Sequence, residues 1–381
     1  MHKIIYTSTI PLSLNLFYRG LFRELSQEYE VVASSSPQPE LAEVAKREGV
    51  KTIAVPMRRE IAPVNDLIAL WRLIHIFRRE RPQMVHSMTP KAGLLSMIAA
   101  RIACVPVRVH TFTGLVFPTS SGLLRQVLMF TDKMTCWCAT HIIAEGEGVR
   151  NDLQRCGITK KGVSVLGFGN VRGIDLDYYA LTPSVKEQAG DIRKRLGIAD
   201  GAFTFVFVGR IVRDKGIHEL IAAFCRLCHE REDVYLLLVG DYEPTDPLSK
   251  YSRELIDRTP NIYVTEEWID DVRPWYAVAD ALVFPSYREG FPNVVIEAGA
   301  MGLPSIVTDI NGSREIIIDG ENGVIIPSHD EMALYHAMKG MVMNPKKAIY
   351  MGEKAHPLIA SRYEQGFVRS KLKEFYHNIL K

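Results

Sequence analysis

Residues Ala281 to Pro327 constrain the fold more than any other stretch. An apolar β-type run, Ala281-Leu-Val-Phe284, stops at Pro285, and a polar loop follows from Ser286 to Gly290. Proline suits the first position of a helix, where its missing N–H costs nothing, so a helix is predicted from Pro292. Gly302 and Pro304 end it, and Ser305 to Thr308 reads as the next strand. Strand, loop, helix, strand is a βαβ unit. In open sheets of such units the ligand sits beyond the carboxyl ends of the strands. Glu289 then lies in the ligand loop and Glu297 in the second helical turn. The N–H groups of Phe291, Asn293 and Val294 would face the same space, which favours an anion. Two carboxylates beside an anion site suit a ligand that also carries hydroxyls, such as a phosphorylated sugar or a nucleotide.

The rest of the chain repeats the pattern. Strands are predicted at 4–6, 30–33, 52–55, 84–87, 107–111, 142–144 and 163–166, with helices between them, including one long helix over 14–28. The series restarts at Phe203–Val208. Alternation of this kind predicts an α/β protein with two Rossmann-like doubly wound domains. The expected division is 1–170 and 171–362, with a closing helix at about 363–381 and the hinge within 168–200. The glycines at 167, 169 and 173 do not match a dinucleotide fingerprint, which argues against a nicotinamide dehydrogenase.

Charge is uneven. Residues 1–170 carry 21 Lys and Arg against 13 Asp and Glu, a balance of +8; residues 171–381 carry 25 against 31, a balance of −6. Only the first half is suited to an anionic surface or acceptor. Two stretches there read either as core or as lipid-facing: the basic helix Asp66–Arg81 with Trp71 and Phe77, and Leu115–Phe130. No apolar run approaches the ~20 residues that span a bilayer, and no signal-peptide pattern opens the chain. The six cysteines are expected to be structural thiols in a reducing cytosol; Cys225-x-x-Cys228 lies in a helical pattern without a second ligand pair.

The loop after Phe203–Val208 reads Gly209-Arg-Ile-Val-Arg-Asp-Lys-Gly216. It is not a Walker A loop, because no G-K-[ST] is present. Arg210 and Lys215 read as a phosphate clamp facing the Glu289 loop, with a solvated surface pair as the ordinary alternative.

With these residues in view, the chain resembles retaining glycosyltransferases of the GT-B fold, in the family 4 group. The resemblance rests on P-S-x-x-E-G-F-P-N-V-x-x-E-A around Glu289 and Glu297, on Gly209-Arg210 with Lys215-Gly216, on Trp268-Ile-Asp-Asp-Val272, and on Gly312-Ser-Arg-Glu-Ile316. It is strong over 203–327 and weaker over 1–170. His86-Ser-Met-Thr-Pro-Lys-Ala-Gly93 and Val109-His-Thr-Phe-Thr-Gly114 are similar to bacterial enzymes of capsule, O-antigen or lipid-linked glycan assembly. The resemblance implies two domains facing across a cleft. It implies that Arg210 and Lys215 neutralise the diphosphate of a UDP-linked sugar, that Gly209, Gly290, Phe291, Pro292, Asn293 and Val294 line the donor, that Glu289 holds sugar hydroxyls and that Glu297 holds the ribose. No metal or other cofactor is implied, and the leaving phosphate would take the acceptor proton. The acceptor would be a polyprenyl-diphosphate-linked glycan on the basic domain, with Lys91, His110 and Thr113 as its contacts, and the protein would sit at the cytoplasmic membrane face without nucleic acid. Many relatives carry histidine where Thr113 stands, so that role does not pass directly to His110. A sugar-nucleotide epimerase and a non-catalytic sugar-nucleotide-binding protein are the remaining alternatives.

Overall fold

The structure, a computed structural model, describes every residue except Thr245. The chain divides into two compact units, Met1–Gly173 with Gly366–Lys381, and Ile174–Gln365. The division lies three residues beyond the expected one at each crossing.

The first unit is built on β1 (Lys3–Thr7), β2 (Glu30–Ser35), β3 (Lys51–Ala54), β4 (Met84–Met88), β5 (Val107–Phe112), β6 (His141–Ala144) and β7 (Val163–Val165), in the order β3-β2-β1-β4-β5-β6-β7. The second is built on β8 (Phe203–Val208), β9 (Val234–Val239), β10 (Ile262–Val264), β11 (Ala281–Phe284), β12 (Ser305–Thr308) and β13 (Gly323–Ile326), in the order β10-β9-β8-β11-β12-β13. All pairings are parallel. Both sheets are doubly wound, as expected. A parallel sheet covered by helices must be apolar on both faces, which is why Phe205 to Val208 and Leu236 to Val239 are buried throughout. Fully burying one such side chain is worth about 1.5–3 kcal/mol.

Strand order reverses between β1 and β4 in the first unit and between β8 and β11 in the second. Such reversals open a crevice at the carboxyl edge, where ligands of this architecture bind.

Two local expectations change. The helix predicted over 14–28 is two short helices, Pro11–Phe17 and Leu21–Leu25, because Gly20 adopts a left-handed conformation (φ 78°) between them. The helix predicted from Pro292 starts at Asn293; Pro292 caps it with an extended backbone (φ −74°, ψ 105°).

The closing helix, Gln365–Ile379, packs on the first sheet. Tyr376 is fully buried there, its hydroxyl 2.5 Å from that of Tyr6 and bonded to Nδ1 of His86. Nε2 of His86 lies 2.7 Å from Thr111 Oγ1. Burial holds His86 well below its ordinary range, at about 3, so it is a neutral strut between helix and sheet. All six cysteines are free thiols. Burial pushes those of Cys225 and Cys228 upward, Cys228 to about 12, so both are inert.

Candidate functional site

The site residues of the second unit stand on two loops at one switch point. β8 and β11 are hydrogen-bonded neighbours, so the loops leaving their carboxyl ends lie side by side. The first, Gly209–Gly216, carries Arg210 and Lys215. The second, Pro285–Pro292, carries Glu289.

The two loops are stitched together. Tyr287 N–H donates to the Asp214 carbonyl (2.9 Å), and the Arg288 guanidinium meets the Asp214 carboxylate at 3.2 Å. Gly216 is left-handed (φ 69°), and a Cβ there would stand 2.1 Å from the Pro285 carbonyl oxygen. Only glycine allows that approach. A third loop, after β12, closes on the second: a Cβ on Gly312 would lie 2.6 Å from the Gly290 oxygen and 2.7 Å from Phe291 Cα. The backbone of Gly290, Phe291 and Pro292 is therefore held from behind.

Lys215 Nζ pairs with Glu289 Oε1. Their side chains are only 13% and 16% exposed, and the ammonium also lies 5.4 Å from the Phe284 ring centroid. Ser286 Oγ donates to the same Glu289 oxygen at 2.8 Å. Arg210 is half-exposed and pairs with Glu243. Both cations of the expected clamp are thus present at one sheet edge, each already matched to a carboxylate. A charge pair of this kind can exchange partners when a more highly charged anion arrives, leaving its carboxylate free to accept hydroxyl hydrogen bonds.

Glu297 is buried in the Asn293–Ala300 helix, and Tyr276 OH donates to its Oε2 at 3.2 Å. Glu289 and Glu297 therefore have different surroundings: one is paired with a cation, the other accepts from a phenol. That division of labour suits two grips on one ligand better than a matched acid and base. Val294 is the second residue of the same helix, and Gly209 leaves β8 with φ 145°. Among the described residues no cluster of three His, Cys, Asp or Glu could hold a metal. A cavity of about 600 Å³ is lined by Arg193, Phe203, Asp280, Leu303 and others at the amino edge of the second sheet. It contains none of these site residues, so its size says nothing about the chemistry at the opposite edge.

The three expected acceptor contacts separate. His110 and Thr113 line one small cavity at the carboxyl edge of the first sheet. Lys91 turns elsewhere: its ammonium meets the Asp66 carboxylate at 2.8 and 3.0 Å and bonds the Glu60 carbonyl. A diphosphate at Lys91 would have to compete with Asp66. Sequence reading passed over Asp132, which shares the cavity with His110 and Thr113. Its signal was faint, a lone acid after the apolar run Val127–Phe130 that a helical reading places on a mixed face.

Comparison with known proteins identifies the family. The family model described as "Glycosyl transferases group 1" matches residues 202–344, and the one described as "Glycosyl transferase 4-like domain" matches residues 17–169. The capsular polysaccharide biosynthesis glycosyltransferase CapM of Staphylococcus aureus is 30% identical over 100% of this chain and 98% of its own length. The chain belongs to the GT-B glycosyltransferases. A second relative of this glycosyltransferase is the UDP-Gal:alpha-D-GlcNAc-diphosphoundecaprenol alpha-1,3-galactosyltransferase of Escherichia coli, 26% identical over 88% of this chain and 87% of its own. Among solved structures, Anabaena Alr3699/HepE in complex with UDP and glucose superposes with a TM-score of 0.82, covering 99% of this chain and 100% of that one at 17% identity. At that identity the likeness speaks for the fold of the transferase.

Proposed function

We propose that this glycosyltransferase moves a sugar from a UDP-linked donor, with retained anomeric configuration, to a glycan carried on a polyprenyl diphosphate during assembly of a surface polysaccharide. The Lys215–Glu289 pair at the β8/β11 switch point carries the reading. A donor diphosphate takes Lys215 and Arg210 from their carboxylates, and Glu289, released, accepts hydroxyl hydrogen bonds from the sugar. Glu297 holds the ribose from inside its helix. Negative charge grows on the diphosphate as the sugar leaves, and two cations with the N–H groups at the start of the Asn293–Ala300 helix stabilise it. Cations in that place fill the role a divalent metal has elsewhere, so the reading needs no cofactor. The galactosyltransferase of E. coli acts on a diphosphoundecaprenol-linked sugar by its name, and the +8 balance of residues 1–170 suits such an acceptor.

A lipid-borne acceptor requires contact with a membrane, and no helix of the described residues is long and apolar enough to cross one. The first unit instead exposes an apolar ridge. In the helix Pro63–Glu80, Ala69, Leu73 and Phe77 face the core, while Val64, Leu67, Ile68 and Trp71, at i, i+3, i+4 and i+7, are exposed, Trp71 by 61%. In the helix Gly122–Cys138, Leu123 (77%), Leu124, Val127 and Phe130 (63%) are exposed. Both helices pack against Pro90–Ile102, and both place these residues in their first halves, toward the carboxyl edge of the sheet. Leu115 and Phe117, part of the second lipid candidate, are buried instead. Exposed Arg58, Arg59, Arg72 and Arg125 lie among the apolar residues. Apolar side chains set among arginines suit an anionic lipid surface. Leu123→Glu with Leu124→Glu should reduce sedimentation with phosphatidylglycerol vesicles at least tenfold, with the thermal midpoint kept; undiminished sedimentation would remove the surface from the reading.

The central experiment follows UDP release from UDP-sugars with and without a polyprenyl-diphosphate-linked sugar. Acceptor-dependent release, reduced about 10²-fold in Glu289→Ala and unaffected by EDTA, is expected. Consumption of donor without acceptor would point to the epimerase, and no release at all to a binding protein.

A further inference from the structure

The loop that carries Glu289 is held by its backbone at both ends. Thr308 Oγ1 donates to the Ser286 carbonyl, and Gly312 backs Gly290 and Phe291. Between these points stands Tyr287, two residues before Glu289 and half-buried. Its attachments run to three parts of the carboxyl edge of the second sheet. Its N–H donates to the Asp214 carbonyl at 2.9 Å. Its hydroxyl donates to Glu219, in the first turn of the helix Ile217–Glu230. Its ring stacks on His329, with centroids 3.7 Å apart and planes inclined by 30°. Burial and the neighbouring Glu219 raise the phenol above its ordinary range, so it stays a neutral donor.

His329 reaches Tyr287 from beyond β12, which separates β11 from β13 in the sheet. It follows β13 and precedes Asp330, whose carboxylate accepts from Ala333 N–H at 2.8 Å and caps the helix Glu331–Met343. Its backbone is left-handed (φ 61°). Glycine makes such a turn without steric cost, whereas a residue with a Cβ is strained in it. The helix needs the turn and the Asp330 cap, and neither uses an imidazole. The side chain is 61% exposed, so burial does not offset the strain. The ring instead lies face-on against Tyr287, and its Nδ1 stands 3.9 Å from Glu219 Oε1. A strained residue held against a ligand loop marks a functional position.

The contact matters most with the donor in place. In the free protein Lys215 holds Glu289 directly. A donor diphosphate draws Lys215 away, and Glu289 then depends on Ser286 and on the shape of its own loop. A loop that samples other shapes binds only in proportion to its competent fraction. We propose that His329 is a positioning residue of the sugar-nucleotide site: its ring locks Tyr287, and through Tyr287 the turn that presents Glu289 to the donor sugar. The inference rests on the donor reading above and adds to it a residue that acts through another side chain.

The test is steady-state UDP release by the whole chain, with the polyprenyl-linked acceptor saturating. The donor is whichever of UDP-glucose, UDP-galactose and UDP-N-acetylglucosamine the wild type consumes. His329→Gly removes the ring and the backbone strain together. Its donor KM should rise about tenfold with kcat within about threefold of wild type, because the donor must first select the competent loop. Its thermal midpoint should be kept, since relief of the left-handed backbone offsets the freedom that glycine adds to the unfolded chain. His329→Asn, which tolerates the same backbone without a ring, should behave alike. His329→Phe restores a stacking face and should recover most of the loss in KM. Tyr287→Leu should raise KM by a similar factor, and adding His329→Gly to it should change little further.

Wild-type KM in both His329→Gly and His329→Asn would overturn the proposal. So would a Phe variant as weak as the Gly variant, additive losses in the double variant, or a fall in thermal midpoint that accompanies the rise in KM. Any of these beside normal acceptor-dependent release by the wild type sinks this inference alone. A wild type that releases UDP from none of the three donors would sink the donor reading instead.

Discussion

Lys215→Ala should lower kcat/KM for the sugar-nucleotide about 10²–10³-fold, equivalent to roughly 3–4 kcal/mol of transition-state stabilisation. The ammonium is 13% exposed and stands between Glu289 and the Phe284 ring, where little water screens it. Its loss removes a charge from the place where the diphosphate gathers electrons, and it leaves the Glu289 carboxylate without its cation. The expected split is informative. kcat should fall more than KM rises, because the interaction strengthens as charge develops on the leaving group. Arg210→Ala should cost less, since that side chain is half-exposed. Initial rates of UDP release measure both, and a Lys215→Ala enzyme within threefold of wild type would remove Lys215 from the mechanism.

Gly216→Ala should lower both stability and activity, and by more than its left-handed backbone explains. The control is Gly197→Ala. Gly197 has nearly the same φ, 64° against 69°, but nothing lies within 4 Å of its added Cβ. Strain alone there costs about 1 kcal/mol. At Gly216 the Cβ meets the Pro285 carbonyl at 2.1 Å, and backbone on both sides leaves no rotamer that relieves the clash. The two loops must part, for a loss of roughly 3–5 kcal/mol. Parting them also moves Lys215 relative to Glu289, and small misplacements at a catalytic site cost about 10²-fold in rate. Thermal midpoints of the two variants compare the effects directly; equal losses would show that the close approach is not what holds the site.

Much of the site was legible because its residues cluster in sequence. Gly209 to Gly216 and Pro285 to Glu297 each follow a strand, and strand-end loops in parallel sheets carry ligands. The first unit was less legible. Lys91 was expected at the acceptor and is held by Asp66, because a lysine at a helix start can reach a neighbouring helix as easily as the sheet edge. The helix Pro63–Glu80 was weighed as either core or lipid-facing; in the fold its core stripe is buried while its first half bears a second apolar stripe outward. Periodicity finds one face of a helix and cannot say whether the other has a partner.

The sequence by itself determined the local pattern: short apolar strands punctuated by glycine and proline, helices between them, and two charged loops after two strands. These follow from propensities and spacing within about 20 residues. What only the tertiary structure decided was adjacency. β8 pairs with β11 although 70-odd residues separate them, and that pairing brings Lys215 to Glu289. Asp132 reaches the His110 cavity by the packing of its helix on the first sheet. Charge pairing, desolvation and close backbone approach depend on distance through space, and a linear chain does not carry that distance until it has folded.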